Sequence, residues 1–440
     1  MFIACHNTTS RTREIVADRM MQVAGTLVLL ATMVWASADI AQAGQLNAVG
    51  IRFEDLPPAL AKRFDGVSFP GLIRDLSRET LRRERDGEFD HLIAYALQSN
   101  QFTKASRVEP AISAQAFAQS ALVPSGVRLR LREFLQALSN PAGNPRLEYF
   151  TRLVPARDRN LDFLEGEYRR TMSFLYAKEF LHETHAYETR GYSTDTQVAA
   201  NYVIWNALSV LKRTNPDLRV RRVLLIGPGM DLAPRTELID AVPPQSFQPY
   251  LVADALLTLG FSATPDLEID CVDINERVVG FINAFSKGQR QLELYSAPGT
   301  NDYNHYFQSL GTKIGQLGLP IPAGMPRDLL TRSITVEPSV AEAVHASELN
   351  ISTQRLTGTY DLAIATNVLL YFESADLALA LCNTAAMLRT GAYFIHNDIR
   401  PETEADAQLV GFEMLQARSV LVAEGRRAPL YDTFALTRKR

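Results

Sequence analysis

Two glycines and a carboxylate are spaced along the chain as a nucleoside-binding crevice requires. Gly227 and Gly229 close the short apolar run 223–226, and Asp273 ends a second predicted strand, 267–273, about 44 residues after Gly229. A glycine-rich turn after a strand lets the backbone approach a ligand, and the next helix offers its free amides there. A carboxylate at the end of the second strand accepts hydrogen bonds from ribose hydroxyls. The pattern predicts a nucleoside site; a tight turn and a helix cap are the alternative interpretations.

An α/β sheet is predicted to position these residues. Strands are expected at 223–226, 267–273, 344–350, 360–366 and 392–396, with helical patterns at 250–259, 278–285 and 376–388 between them. Strands that alternate with helices indicate a doubly wound, Rossmann-like parallel sheet. The runs 419–423 and 431–437 predict an antiparallel hairpin at the C-terminal end. Residues from about 286 to 333 are predicted to be an insertion between the second and third strands.

The first half of the chain has a different periodicity. Apolar residues recur at three- and four-residue spacing in 69–76, 89–97 and 163–181, which is typical of amphipathic helices. Thr194 and Asp195 are expected to cap a further helix that ends before Pro216. We therefore predict an all-helical N-terminal domain at 44–194, followed by the α/β domain at 195–440.

Composition narrows the class of protein. The 440 residues carry 45 Lys and Arg against 49 Asp and Glu, so the formal net charge is -4, and 46% of residues are hydrophobic. This balance excludes a globally basic nucleic-acid binder and a polytopic membrane protein. Three cysteines are too few for a disulfide scaffold, and Cys271 and Cys382 are predicted to be buried thiols. His182 and His185 are three apart rather than four, so no metal site is predicted.

The N-terminal 43 residues differ from the rest of the chain in charge and hydrophobicity. Residues 20–38 carry no charge, basic residues precede them, and Ala41 and Ala43 fit the small-x-small rule of a signal-peptidase site. We predict a secretory signal peptide at 1–43 and an exported, periplasmic or secreted mature chain. An uncleaved N-terminal anchor is the alternative, because the uncharged stretch just reaches the length of a bilayer span.

The motifs together resemble those of class I S-adenosylmethionine-dependent methyltransferases over about residues 195–440. Residues 223–229 are similar to the family's first motif, 361–372 to its fourth and 388–391 to its Leu-Lys-Pro-Gly turn. The run 366–372 is locally similar to that of chemotaxis-receptor glutamate methyltransferases. The resemblance implies S-adenosylmethionine as the cofactor, and these cofactor-binding residues: Gly227, Gly229, Asp231, Asp273, Asn350 and Asn367.

Two positions depart from the family's first motif. Leu225 stands where the family usually has an acid near the methionine end of the cofactor, and Asp231 stands where it has a third glycine. Asp231 is expected to compensate by pairing with the amino group of the cofactor. The inserted loop 243–250 is expected either to line the cleft through Gln245, Gln248 and Tyr250 or to be a stiff surface connection.

Methyl transfer implies a short set of catalytic candidates. It is an in-line displacement from a sulfonium, so the protein mainly positions two reactants, and a base is needed only when the acceptor carries a proton. His396, Asp398 and Tyr371, which follow the predicted fourth and fifth strands, are the candidates. His396 is the predicted base because an imidazole titrates near neutrality; a histidine hydrogen-bonded inside the sheet end is the alternative.

The functional hypothesis is therefore methyl transfer from S-adenosylmethionine to an acceptor that the sequence does not identify. The predicted export favours a second hypothesis, because this cofactor is made in the cytoplasm. In that case the chain is a non-catalytic binding or scaffold protein that keeps a degenerate methyltransferase fold. Neither hypothesis expects nucleic acid as a partner, and membrane contact is expected only if the N-terminal segment stays uncleaved.

Overall fold

The structure is a computed structural model that describes residues 47–181, 183, 186–187, 190–232, 238–318, 328–424 and 429–440. Residues 47–440 form one compact unit. The predicted signal peptide at 1–43 and the histidine pair His182 and His185 lie outside the described residues. In the part of the chain that is described, no helix is long and apolar enough to cross a membrane.

The strands of the described residues belong to one large and two small sheets. In chain order they are β1 (Ala48–Gly50), β2 (Arg222–Ile226), β3 (Glu268–Asp273), β4 (Gln291–Ser296), β5 (Gly315–Leu317), β6 (Leu330–Val336), β7 (Val344–Glu348), β8 (Gln354–Leu356), β9 (Tyr360–Ala365), β10 (Leu388–His396), β11 (Phe412–Ala423) and β12 (Leu430–Lys439). The large sheet has the order β11-β12-β10-β9-β2-β3-β7.

The large sheet is parallel except at its C-terminal hairpin. Strands β7, β3, β2, β9 and β10 run parallel to their neighbours, whereas β12 is antiparallel to both β10 and β11. The chain starts at β2, moves outward through β3 to β7, and then returns to β9 on the other side of β2. This reversal between β2 and β9 is a topological switch point, where a crevice opens beyond the carboxyl ends of the strands.

The predicted parallel strands correspond to β2, β3, β7, β9 and β10, which confirms the doubly wound α/β class. The fifth strand begins earlier than predicted, because Leu388 already pairs with Tyr360 before the register shifts at Tyr393. The predicted turn at 388–391 therefore lies within β10. Cys271 and Cys382 are buried free thiols, as expected.

The helices of the described residues lie mostly before β2 and between the strands of the large sheet. They are α1 (Pro58–Ala61), α2 (Phe69–Gln98), α3 (Pro110–Ser120), α4 (Ser125–Ser139), α5 (Pro145–Leu153), α6 (Leu161–Tyr176), α7 (Val198–Thr214), α8 (Gln248–Thr258), α9 (Glu276–Phe285), α10 (Asn301–Ser309), α11 (Pro338–Glu342), α12 (Ser374–Met387) and α13 (Pro401–Leu409).

The N-terminal segment is helical as predicted, with one short exception. Strand β1 pairs antiparallel with β8, which follows β7 much later in the chain. Thr194 and Asp195 do not cap a helix: α7 begins at Val198, with Gln197 at its N-cap. They pair instead with the glycine turn, since Asp195 forms a parallel bridge to Met230. The expected helix cap was therefore wrong.

The predicted insertion lies between β3 and β7 of the large sheet. It contains a three-stranded antiparallel sheet in the order β4-β6-β5. Tyr303 and Phe307 of α10 are buried and belong to the same hydrophobic cluster as Leu294 of β4. The described residues of the insertion therefore pack into the same hydrophobic core as the large sheet.

Candidate functional site

A crevice of about 620 Å³ opens beyond the carboxyl ends of β2, β3, β7 and β9. It lies at the switch point of the large sheet, where α/β proteins of this topology bind ligands. Its lining combines strand ends with residues from the N-terminal helical segment: Thr80, Tyr192, Ser193, Thr194, Ile226, Gly227, Gly229, Val272, Asp273, Ile274, Leu349, Asn350, Ile351, Asn367, Val368, Tyr371 and Phe372.

The glycine turn forms the floor of the crevice. Gly227 and Gly229 have φ of 62° and 67°, a left-handed conformation that favours glycine. A Cβ at Gly229 would lie 2.5 Å from the carbonyl oxygen of Thr194, so a side chain there would push the two chain segments apart. The amide of Met230 donates to that same carbonyl at 2.7 Å. The turn is therefore held against residues 194–196 and keeps its backbone open to the crevice.

Asp273 stands at the end of β3, in contact with the glycine turn that follows the neighbouring strand β2. Its Oδ1 accepts the amide of Asn275 at 2.9 Å, and its Oδ2 accepts the amide of Gly229 at 3.3 Å. Burial raises the pKa of this carboxyl to about 6, although these backbone hydrogen bonds oppose the rise. Among the described lining residues it is the one charged side chain. Asp273 is therefore ionised at neutral pH and fixes the polarity of the crevice.

Two asparagines predicted to bind the cofactor also line the crevice. The side chain of Asn350 donates to Thr80 of α2 at 3.0 Å and accepts from Ser352. Asn367 has φ of 58°, and its side-chain oxygen accepts from the amide group of Asn397 at 2.6 Å. A non-glycine residue in this left-handed region is uncommon and marks a position worth testing for function.

Tyr371 is placed at the inner wall of the crevice. It lies in the single turn 369–371, and its ring packs edge-on against Tyr187 and Tyr192 at centroid distances of 5.4 and 5.7 Å. Burial raises the pKa of its hydroxyl above the ordinary value. The hydroxyl is therefore neutral at physiological pH and suits hydrogen bonding rather than proton abstraction.

Asp231 does not reach the crevice. Its carboxylate accepts a hydrogen bond from Tyr295 of β4 at 2.5 Å, and its backbone amide donates to Gln245. The side chain thus points behind the glycine turn, toward the insertion. This placement corrects the expectation that Asp231 pairs with a ligand's amino group in the crevice.

His396 is sealed inside the protein. It is 1% exposed, lies 4.8 Å from the ring of Phe394, and neither ring nitrogen makes a well-formed hydrogen bond to a described residue. Burial lowers its pKa to about 4. His396 lines neither the crevice nor the second cavity described below. This placement corrects its prediction as the base.

Asp398 supports the site from outside it. Its carboxylate is bound by Arg400 at 2.7 Å and by Thr403 at 2.7 Å. Burial opposes ionisation, but these hydrogen bonds and the charge of Arg400 hold the pKa of Asp398 below its ordinary value. Arg400 also donates to the carbonyl of Leu369, in the turn that carries Tyr371. Asp398 therefore positions that turn and does not itself line the crevice.

The inserted loop also packs inward. The side-chain amide of Gln248 donates to Thr366 at 2.8 Å, and the ring of Tyr250 lies 4.3 Å from Phe285. Gln245 bonds to the backbone of Glu293. None of the three lines the crevice, so neither the cleft-lining role nor the surface connection describes them.

Sequence reasoning missed the contribution of the helical segment. Tyr192, Ser193 and Thr194 line the crevice because residues 190–194, here called the crossing segment, run directly against α2. A Cβ at Gly87 would lie 1.7 Å from the carbonyl oxygen of Tyr192, and one at Gly191 would lie 2.2 Å from the amide nitrogen of Gly87. These two glycines were the available signal, since a helix-interior glycine often marks a close backbone approach.

A second, larger cavity of about 1830 Å³ adjoins the crevice. Ser193, Asn367 and Tyr371 line both spaces. The second cavity lies between α2, α6 and the C-terminal hairpin. Its wall carries positively and negatively charged side chains, and Arg190 donates to the carboxylate of Asp90 at 2.9 Å. The two spaces therefore meet at three polar side chains.

Comparisons with known proteins gave structural neighbours alone. No family model matches the chain, and no curated protein sequence matches it. Among solved structures, the N-methyltransferase NodS from Bradyrhizobium japonicum in complex with S-adenosyl-L-homocysteine is 12% identical, with 53% of this chain and 85% of that chain covered and a TM-score of 0.28. A TehB-like SAM-dependent methyltransferase from Corynebacterium glutamicum is 11% identical, with 60% and 96% covered and a TM-score of 0.28. TrmN from Thermus thermophilus is 14% identical, with 53% and 48% covered and a TM-score of 0.26.

Proposed function

We propose that the protein binds S-adenosylmethionine in the crevice and transfers its methyl group to an acceptor in the second cavity. The observation that carries the proposal is the position of Asp273, an ionised carboxylate at the end of β3 that contacts the glycine turn after β2. An adenosine ribose needs such an acceptor there. Asn367 and Tyr371 then stand where the two spaces meet.

The donor set fits the nucleoside half of the cofactor. A carboxylate has about four lone-pair sites, and Asp273 gives part of them to the amides of Asn275 and Gly229. The remaining acceptor capacity suits the two ribose hydroxyls. The left-handed glycines keep side chains out of the floor, so the backbone can approach the ligand closely.

The methionine half would meet neutral groups. Leu225, at the family's acidic position, is fully buried in the sheet, and Asp231 is bound to Tyr295. The polar residues left at that end of the crevice are Ser193, Thr194 and Asn367. The bound cofactor would supply an activated methyl group, while these residues and Tyr371 orient the two reactants and exclude water.

Calorimetric titration of the purified protein tests the proposal. S-adenosylmethionine and S-adenosylhomocysteine should both release or absorb heat on binding, and Asp273→Ala should weaken the affinity about 100-fold through lost charge-assisted hydrogen bonds. Glu276→Ala is the matched control, because Glu276 follows the same strand but is exposed. No heat at millimolar ligand, or unchanged affinity in Asp273→Ala, would contradict the proposed site.

The neutral methionine end supports a second candidate, a non-catalytic nucleoside-binding protein. The two candidates differ in how much the methionine half contributes to binding. A methyltransferase should bind S-adenosylmethionine at least about tenfold more tightly than adenosine, since the transfer requires a fixed sulfonium. Equal affinities in a competition titration would favour the non-catalytic candidate.

A further inference from the structure

His91 of α2 lines the second cavity and has no part in the site described so far. It is 6% exposed, and its Nε2 lies 3.3 Å from Oγ of Ser193. Ser193 is one of the three residues shared by the crevice and the second cavity. An imidazole is therefore connected, through one hydroxyl, to the point where cofactor and acceptor would meet.

The surrounding hydrogen bonds determine which nitrogen of His91 carries a proton. The hydroxyl of Thr194 donates to Oε1 of Glu88 at 2.9 Å, since an ionised carboxylate can only accept. The Thr194 oxygen thus presents lone pairs to Nδ1 of His91 at 3.5 Å, and Oε1 of Glu88 lies 3.6 Å from the same nitrogen. Both neighbours favour a proton on Nδ1, which leaves the lone pair of Nε2 facing Ser193.

The hydroxyl of Ser193 is oriented to extend the series of contacts from Glu88 to His91. Its Oγ accepts the backbone amide of Asp195 at 3.3 Å, so its own proton is free to point at Nε2 of His91. The order of the three groups is then a carboxylate, an imidazole and a hydroxyl. In such an arrangement a third group, here the carboxylate, orients the imidazole that acts as the base. The hydrogen-bond distances between the groups are often long in structures without a ligand.

Glu88 is held as a carboxylate by groups from several elements. Burial opposes ionisation, but hydrogen bonds from His91 and Tyr149 and the charge of Arg277 lower its pKa to about 2. The side-chain amide of Asn275 also donates to it at 3.0 Å. Asp90, which is paired with Arg190, lies on the same side, and Glu84 and Asp273 both interact with the charge of Glu88. The wall of the second cavity adds further charged groups: Lys178, Asp195 and Asp432. A fixed negative charge next to Nδ1 would stabilise an imidazolium formed at His91.

We propose that Glu88, His91 and Ser193 form a proton relay that takes the proton from a hydroxyl or amine acceptor bound in the second cavity. The inference rests on the proposed function and names the class of its acceptor. In the transfer, the acceptor's oxygen or nitrogen bonds to the methyl carbon while the carbon–sulfur bond breaks and its electron pair stays on sulfur. The acceptor's proton passes to Ser193 Oγ as the Ser193 proton moves to Nε2 of His91.

This relay separates two classes of acceptor. A carboxylate is already ionised at neutral pH and needs no base, so a glutamate methyltransferase has no use for such an arrangement. A hydroxyl or an amine carries a proton that has to leave. The relay therefore favours a hydroxyl or amine acceptor over a carboxylate.

Nitrogen-15 spectroscopy of the histidine rings tests the relay without any cofactor. The full chain is labelled at its seven histidines, and His91→Gln assigns the resonance. At about pH 8, His91 should carry a single ring proton on Nδ1, with an unprotonated Nε2 facing Ser193. A proton on Nε2, or on both nitrogens, would overturn the proposal.

Two variants examine the partners of the ring. Glu88→Gln should let both tautomers appear, because the charge beside Nδ1 is gone. Ser193→Ala should keep the Nδ1 proton but move the Nε2 resonance toward that of a nitrogen without a hydrogen bond. If Ser193→Ala folds as the parent does and leaves the Nε2 resonance unchanged, the relay does not exist.

A pair of small probes tests the acceptor class. Phenol and anisole differ by the methyl group that the reaction would add, so they represent an acceptor and its product. Phenol should shift the Nε2 resonance of His91, and anisole should shift it less. Equal shifts, or none, would contradict a hydroxyl acceptor. These measurements do not depend on S-adenosylmethionine, so a failure of cofactor binding in calorimetry remains distinguishable from a failure of the relay.

Discussion

The ends of β3 and β10 carry similar residues but have opposite environments. Each strand ends in polar side chains at the same edge of the sheet: Asp273 and Asn275 after β3, His396 and Asp398 at β10. Asp273 opens onto the crevice, whereas His396 is sealed beside Phe394, whose ring in turn packs against Phe412. The strand-end position therefore does not decide which residue can meet a ligand.

What covers each strand end makes the difference. Over β3, the crossing segment and α2 leave a space lined by Thr80 and Tyr192. Beside β10, the hairpin strand β12 pairs along the strand up to His396, and Asp398 is bound by Arg400 and Thr403. The end of β3 is open because α2 and the crossing segment contact each other through their backbones at Gly87 and Gly191 and leave a space next to the strand end. The end of β10 is filled by side chains: Asp398 is hydrogen-bonded to Arg400 and Thr403, and His396 packs beside Phe394.

The largest expected effect lies where α2 meets the crossing segment. Gly87→Ala should lower the free energy of unfolding by about 3 kcal/mol or more, because its Cβ would overlap the Tyr192 carbonyl and backbone cannot move aside cheaply. Gly166→Ala is the matched control, since Gly166 is an exposed helix residue with open space around its Cβ position, and it should gain about 0.5–1 kcal/mol. Urea denaturation measures both. Equal behaviour of the two variants would show that the crossing is not tight.

At the closed end, Asp398→Asn should act on stability first. The change removes the buried ion pair between Asp398 and Arg400 and should lower the free energy of unfolding by about 2–3 kcal/mol. Its effect on S-adenosylmethionine affinity should stay far below that of Asp273→Ala, because Asp398 acts on the site through Arg400, which donates to the carbonyls of Leu369 and Phe372. Denaturation and calorimetry on the same preparations check both values. A larger loss of affinity than of stability would place Asp398 in the site after all.

His396 should make the protein sensitive to acid. Its folded pKa of about 4 lies below the ordinary value, so the unfolded chain binds a proton first as the pH falls. Stability contributed by the neutral ring is present above the ordinary pKa and is lost toward the folded pKa, by about 2 kcal/mol between pH 7 and pH 5. His396→Leu should flatten this part of the profile, while His345→Leu, at an exposed position, should not. Identical pH profiles of the parent and His396→Leu would disprove the sealed environment, because the other buried groups titrate alike in both proteins.

The smallest expected effect is the pH dependence of binding at the open end. Asp273 accepts ribose hydroxyls as a carboxylate, and its pKa is about 6, so protonation should weaken S-adenosylhomocysteine affinity about tenfold between pH 7 and pH 5. S-adenosylhomocysteine is the suitable probe because it lacks the sulfonium charge. Calorimetry at several pH values measures the change. A constant affinity over this range would mean that Asp273 does not bind the ligand in its ionised form.

Local patterns predicted much of the fold and part of the site. The strands β2 and β9 follow apolar runs of the expected length, and left-handed turns favour glycine, so Gly227, Gly229 and Asp273 came together as predicted. Asn350, Asn367 and Tyr371 also line the crevice. These residues follow from the sequence because parallel strands bring their carboxyl ends to one edge of the sheet.

The remaining predictions failed at residues whose surroundings are formed by segments distant in the chain. Asp231 is adjacent to the glycine turn in sequence, but its carboxylate accepts a hydrogen bond from Tyr295 of the insertion. Ser193, Thr194 and His91 belong to the helical segment, whose pattern indicates buried faces without saying what they face. Gly87 and Gly191 are the visible signs of this contact, and each looks like an ordinary glycine until the other is placed against it.

The sequence by itself determined the order of strands and helices, the glycine turn and the acid opposite it, because hydrophobic period and backbone conformation are local properties. The tertiary structure alone decided which strand end is open, which histidine faces a cavity and which carboxylate is already paired. Those outcomes depend on contacts between α2, the crossing segment, the insertion and the hairpin. Such contacts join residues far apart in the chain, so no local pattern specifies them.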